Sequence, residues 1–256
     1  MFKPKVKPRT MNLNNLCYTC LILLLIACGS DDENPTSSST VENASPTEGF
    51  TSEQTVTDDE GSVYTIGYEQ VTSNNQDPFI EKTGKDGEVI WRLKYEETPV
   101  DGKGEIIALL GDKLWAVFTV DGGSNDDEYI TSHQTVDGAF LEVYLNSYGR
   151  GGGPAVSVLC QINPKNGQII RGTFLRAELN NGNTNTKRIR ELAWVDGKLG
   201  IRATSAAWPA GAGTRFEQME DITNDDRIDG TFYLYYEMSS DLSTITSAEI
   251  LSEAFD

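Results

Sequence analysis

Phe79-Ile80-Glu81-Lys82-Thr83-Gly84-Lys85-Asp86-Gly87-Glu88-Val89-Ile90-Trp91 reads as a β-hairpin. Two runs rich in β-branched and aromatic residues flank a turn of Gly, Lys and Asp, where positive φ lets the chain reverse. The pattern recurs twice: Val158 to Ile170 turns at Asn163-Pro164-Lys165-Asn166-Gly167, and Leu234 to Ile245 turns at Ser239-Ser240-Asp241. A second kind of run, a turn leading into an alternating strand, precedes each hairpin at Gly61 to Gly67, Gly111 to Val117 and Asp196 to Ala203. Further runs at Gly104 to Leu110 and Ile189 to Val195 come just before two of those turns. Recurrence in a fixed order is the mark of a repeated supersecondary unit. It predicts three irregular four-stranded units at about 54–95, 105–176 and 188–251. From Thr55 onward no helical period is sustained, so the fold is expected to be all-β.

These residues resemble the bacterial β-propeller repeat family called SBBP. Residues 61–67 match its Gly-Asn-Val-Tyr-Val-type strand, and 79–91 match its second strand, glycine turn and Trp-ending strand. Ala139-Phe140, Ser147-Tyr148-Gly149 and the turn at 163–167 look like the linker and second hairpin of that repeat. The resemblance implies a propeller-like domain over 52–256. Its spacing departs from the family: Val63, Leu114 and Leu199 are unequally separated, which requires insertions at about 121–152 and 206–230. Propellers usually close with about four to eight blades. Three units leave open a small ring, an open stack or half of a six-bladed dimer, with a β-sandwich or barrel as the alternative. In each case units stacked face to face bury both faces of inner strands, as Ile106-Ile107-Ala108-Leu109-Leu110 and Trp115-Ala116-Val117-Phe118 require.

The chain ahead of this domain reads as an address. Lys3, Lys5, Lys7 and Arg9 precede a short apolar run, Leu21 to Ala27, that stops at Cys28. A bilayer-spanning helix needs about 20 apolar residues, so the run reads as a signal-peptide core. Leu25-Ile26-Ala27-Cys28 has the form of a lipobox, making 1–27 a lipoprotein signal peptide and Cys28 the lipidated N-terminus. Residues 28–51 are rich in Ser, Thr, Asn, Pro and acidic side chains, a composition that cannot offset its ordering entropy by burial, and are expected to form a flexible tether. The acidic cluster Asp31-Asp32-Glu33 behind Cys28 resembles the export signal of Bacteroidota surface lipoproteins, which implies a lipid anchor in the outer membrane and exposure at the cell surface.

The 256 residues carry a formal charge of −18, and loss of 1–27 removes four basic residues and no acidic one, giving −22. Such a surface repels phosphate backbones, so nucleic acid is not expected as a partner. Cys160 alternates with Val156, Val158 and Ile162 and reads as a buried thiol; with Cys28 lipidated, no intramolecular disulfide is available. His133 is the single histidine, and no Gly-x-Ser-x-Gly elbow occurs, which argues against a nucleophile–base hydrolase and against a zinc site.

Two acidic stretches fall in the insertions, at 121–128 and 220–230. Asp221, Asn224, Asp225, Asp226 and Asp229 are close enough in sequence for one loop to wrap calcium, although the EF-hand spacing is missing. Trp208, ahead of Pro209-Ala210-Gly211, is the candidate for stacking on a ligand ring, whereas Tyr233 and Tyr235 read as packing between units. The expectation is a non-catalytic binding or scaffold module with a glycan or protein partner at the cell surface. The alternative is a carbohydrate-binding or polysaccharide-active protein of glycoside-hydrolase type, which needs only two placed carboxylates.

Overall fold

In the computed structural model the chain is described over residues 48–73, 75–95, 101–121, 130–131, 134–151 and 154–255. The leader, Cys28, the tether up to residue 47, the acidic run 122–128 and His133 lie outside the described residues. The chain enters the fold at β1 (Glu48–Thr51), and three antiparallel meanders follow. The first unit comprises β2 (Thr55–Thr57), β3 (Val63–Gln70), β4 (Gln76–Thr83) and β5 (Val89–Lys94). The second comprises β6 (Gly102–Leu110), β7 (Lys113–Asp121), β8 (Ala155–Ile162) and β9 (Ile169–Leu175). After a short hairpin of β10 (Ala177–Glu178) and β11 (Thr184–Asn185), the third comprises β12 (Lys187–Val195), β13 (Lys198–Ser205), β14 (Phe232–Ser239) and β15 (Ile245–Ile250). The molecule is all-β, and none of its sheets closes into a barrel. No helix among the described residues is long and apolar enough to cross a membrane.

Two features differ from the sequence reading. Glu48–Thr51, the last residues assigned to the tether, pair with β12, with Glu48 opposite Trp194 and Thr51 opposite Leu192. The second and third units also share one sheet. β9 pairs with β8 only from Ser157 onward, which leaves the edge of Val156 free for a parallel bridge to Lys187 of β12.

Alternation along β7 explains the stacking. Leu114, Ala116, Phe118 and Val120 join a core with Tyr64, Ile66 and Ile80 of the first unit. Trp115 and Val117 point the other way, into a core with Leu192, Ile201, Leu234 and Tyr236 of the third. The middle unit is thus buried on both faces, and Cys160 lies fully buried in the first of these cores. Burial raises its thiol pKa, which removes the thiolate that reactivity needs.

Among the described residues the outer faces carry no further unit. On the first unit, Arg92 pairs with Glu69 at 2.7 Å and Glu81 at 2.8 Å and lies 3.8 Å from the centre of the Phe79 ring. On the third, Tyr235 packs edge-on against Phe50 of β1 and Tyr233 against Phe255 near the C-terminus. Tyr233 and Tyr235 therefore do not fill a space between units. Strand alternation turns them away from Phe232, Leu234 and Tyr236, and the two ends of the fold cover them.

Tight turns gather at one end of the units and both insertions leave from the other. Gly111 and Asp112, at φ 54° and 58°, and Asp196 and Gly197, at 49° and 80°, make two-residue turns with the left-handed backbone of type I′. Gly87 and Gly167 have φ of 84° and 77°, as the hairpin reading requires. The third hairpin puts Leu242 in this conformation, at φ 59°, its amide bonded to the Ser239 carbonyl at 2.8 Å. Asp241 secures that turn by accepting hydrogen bonds from the Ser239 and Ser243 hydroxyls, which hold its carboxyl down at about 2.

The two glycine turns should respond differently to alanine. A Cβ at Gly87 meets nothing within 4 Å, so Gly87→Ala should cost only the left-handed backbone strain, about 1 kcal/mol. At Gly167 a Cβ would also come within 2.7 Å of the Trp91 ring and 2.8 Å of Leu93. Gly167→Ala should cost about 2–3 kcal/mol, and urea unfolding of the two variants checks the difference.

Candidate functional site

At the tight-turn end, a cleft of about 540 Å³ opens between the first and second units. The β2–β3 turn forms one wall. Asp58 Oδ1 accepts the Ser62 amide at 2.8 Å and the Glu60 amide at 3.1 Å, an Asx-type turn completed by Gly61 at φ 82°. The turn leaves Asp59 and Glu60 exposed at the rim. Opposite stand Asp112 of the β6–β7 turn and Pro164 and Lys165 of the β8–β9 turn.

Strand register builds the floor. Tyr64 of β3 lies opposite Lys82 of β4, and Lys82 lies opposite Trp91 of β5. Lys82 Nζ donates to Tyr64 Oη at 2.7 Å, Tyr64 Oη donates to Asp58 Oδ2 at 3.1 Å, and Nζ stands 3.4 Å from that same carboxylate oxygen. Burial alone would raise the Asp58 pKa, but the Ser62 amide, the Tyr64 hydroxyl and the Lys82 ammonium outweigh it and hold the carboxyl below its usual range. Burial likewise opposes the charge on Lys82, yet Tyr64 and Asp58 raise its pKa overall. The triad is therefore a fully ionised carboxylate and ammonium joined by a phenol.

The cleft is tied across the seam. Trp91 Nε1 donates to the Pro164 carbonyl at 3.3 Å, and the buried Tyr95 hydroxyl donates to the Gly167 carbonyl at 2.7 Å. Four carboxylates and two ammonium groups line it with the Tyr64 phenol. Such a lining offers carboxylate acceptors and a few fixed donors, suited to ligand hydroxyls and amines.

The acidic loop expected to hold calcium is built differently. Asn224–Asp226 form a short 3-10 turn capped by Thr223, whose amide and hydroxyl both donate to Asp226 Oδ2, at 2.7 and 3.1 Å. Asn224 Oδ1 accepts from Arg227 Nε at 3.1 Å, and Arg227 Nη1 reaches the carbonyls of Ala206 and Gly230. The loop thus spends these oxygens on its own donors. Asp221 and Asp229 occupy left-handed positions at φ 57° and 49° at its two ends. Among the described residues no group of three or more His, Cys, Asp or Glu is placed to hold a metal ion, so Asp221, Asn224, Asp225, Asp226 and Asp229 are not gathered around one point.

Trp208 is folded over the core. Its ring packs 5.7 Å from that of Phe232, and the Arg227 guanidinium lies 5.3 Å from the Trp208 ring centre and 4.0 Å from that of Phe232. Its backbone pairs with Glu178 in both directions. The ring is a lid on Phe232, clamped by Arg227.

Sequence reasoning missed the Asp58–Tyr64–Lys82 triad. The available signal was the pairing of two strands on either side of residues 71–75, which sets Tyr64 opposite Lys82 once the register is counted outward from Gln70 and Gln76.

Compared with known proteins, the chain matches no protein-family model and no curated protein.

Proposed function

We propose that this chain is a lipid-anchored, non-catalytic binding module, held in the outer membrane through Cys28 and offering the cleft between its first two units to a hydroxyl- or amine-bearing ligand at the cell surface. A surface glycan is the ligand class that meets this description best. The cleft itself carries the binding part of the reading: about 540 Å³ is within the range of small-ligand sites, about 300–1,000 Å³. Its floor is pre-organised, because Asp58, Tyr64 and Lys82 are hydrogen-bonded to one another across their own turn and strands.

Two observations favour binding over hydrolysis. A glycosidase acid must keep its proton near neutral pH, whereas the neighbours of Asp58 pull its pKa the other way. The one cysteine among the described residues is fully buried in a core. The anchoring part rests on the order of basic start, apolar run and lipobox, and on the acidic residues after Cys28.

The fold reading that goes with this function is a propeller-like open stack. It is supported by three successive four-stranded meanders packed face to face, and by the cover that Phe50 and Phe255 give the last outer face.

The test is a glycan array probed with residues 48–256, beside the same segment carrying Glu60→Gln and Asp112→Asn. These rim residues are exposed, so the substitutions leave the fold intact while removing two carboxylates. Binding to a defined glycan class, weakened at least tenfold in the double variant, is the expected result. Equal binding by both proteins would move the site elsewhere.

A further inference from the structure

We propose that Lys187 is a pH-responsive latch: as the neutral amine it lets the second insertion close over the third unit, and on protonation it drives that insertion open. Lys187 begins β12 with 1% of its surface exposed. Its Nζ lies 3.8 Å from the centre of the Tyr236 ring, and the Tyr236 hydroxyl donates to the Ala210 carbonyl of the insertion at 3.1 Å. The insertion also starts beside the lysine, since the Ala206 amide donates to the Thr186 carbonyl at 3.1 Å. One ring thus bears the amine on its face and holds the cover by its hydroxyl.

A buried ammonium is tolerated when a carboxylate pairs with it, and this one lacks that support. Facing it from β14 is the Tyr236 phenol, while Val156 of β8 and Ser205 of β13 beside it in the sheet are not ionisable. Tyr144 of the first insertion, whose buried hydroxyl has no hydrogen-bond partner, acts on Tyr236. Arg176 and Glu178 after β9 and Glu217 in the second insertion act on Tyr144, not on the lysine. Arg188 turns to Glu105, 3.7 Å away, and Arg227 to Ala206 and Gly230. Burial opposes the attraction of the Tyr236 ring face for the ammonium and lowers the amine to about 7.

The sign follows from the two states. In the open form the amine is solvated and titrates near 10.4. Between that value and about 7 the open form binds a proton that the closed form does not, so falling pH favours opening about tenfold per unit. Below about 7 both forms are protonated and the effect levels off.

Hydrogen exchange on the intact mature protein tests this at the Gly211 and Met219 amides, which bond to Glu217 and Pro209 carbonyls inside the insertion. After correction for intrinsic rates, their protection should fall about tenfold per pH unit from 9 to 7.5, and Lys187→Met should abolish the slope. A flat wild-type profile, or the same slope in Lys187→Met, would overturn the proposal. So would an equal slope at amides of β7, which would make the effect one of the whole domain. Should Lys187→Met fail to fold, the carbon-13 resonance of the Lys187 Cε in the wild type decides. A midpoint near 7 supports the latch, and titration alongside surface lysines near 10 sinks it.

Discussion

Gly104→Val should lower the thermal midpoint by about 10 °C, a loss of about 3 kcal/mol or more. Gly104 sits in β6 where that strand crosses β3, and the two backbones approach through a pair of glycines. A Cβ at Gly104 would collide with Ile66 Cγ1 and lie 2.8 Å from the Gly67 carbonyl oxygen and 2.9 Å from its nitrogen. Backbone atoms cannot rotate aside as a side-chain tip can, so the units must separate. That separation would strip cover from Tyr64, Ile66 and Ile80, all 2% exposed or less. Gly49→Ala is the matching control, because a Cβ there meets nothing within 4 Å. Calorimetry on both variants decides the matter, and equal midpoints would mean that the seam between the first two units does not hold the fold.

Cys28→Ser has the larger effect on behaviour. On the lipoprotein reading, the thiol of Cys28 accepts the diacylglycerol group, and a hydroxyl in its place cannot serve the same enzymes. The acyl chains supply about 0.8 kcal/mol per buried methylene, so losing them removes nearly all membrane affinity. The protein should shift from the membrane fraction and lose labelling by a tagged fatty acid, while its melting curve stays unchanged, since β1 starts only at Glu48. Undiminished labelling of Cys28→Ser would show that another group carries the lipid, or that none is needed.

The strands were legible because their turns are spelled in residues that tolerate positive φ. Gly87, Gly167 and Gly111-Asp112 mark chain reversals on sight, and two-faced burial of β7 follows from the unbroken apolar run Leu114 to Phe118. Leu242 shows the limit: it takes the same left-handed conformation with no glycine to announce it, held by packing and by the Asp241 bonds. Lys187 is in phase with the buried Ile189, yet a lysine at the start of a strand ordinarily reads as solvated. For Tyr233 and Tyr235 strand period gives a face and not what covers it, which is Phe50 and Phe255 and not a neighbouring unit. The acidic loop shows a related limit. Sequence proximity counts oxygens, whereas Thr223 and Arg227 had already engaged those of Asp226 and Asn224. The triad in the cleft needed cross-strand register, which composition does not carry.

The most direct measurement on the cleft is chemical-shift mapping of the folded domain titrated with whichever glycan the array selects. The account predicts that shifts concentrate at Asp58 to Gly61, Asp112, Lys165 and the Trp91 indole, with the Lys82 ammonium perturbed through Tyr64. Shifts confined to Trp208 and Arg227, or to Tyr233, Tyr235 and Phe50 on the outer face of the third unit, would contradict it.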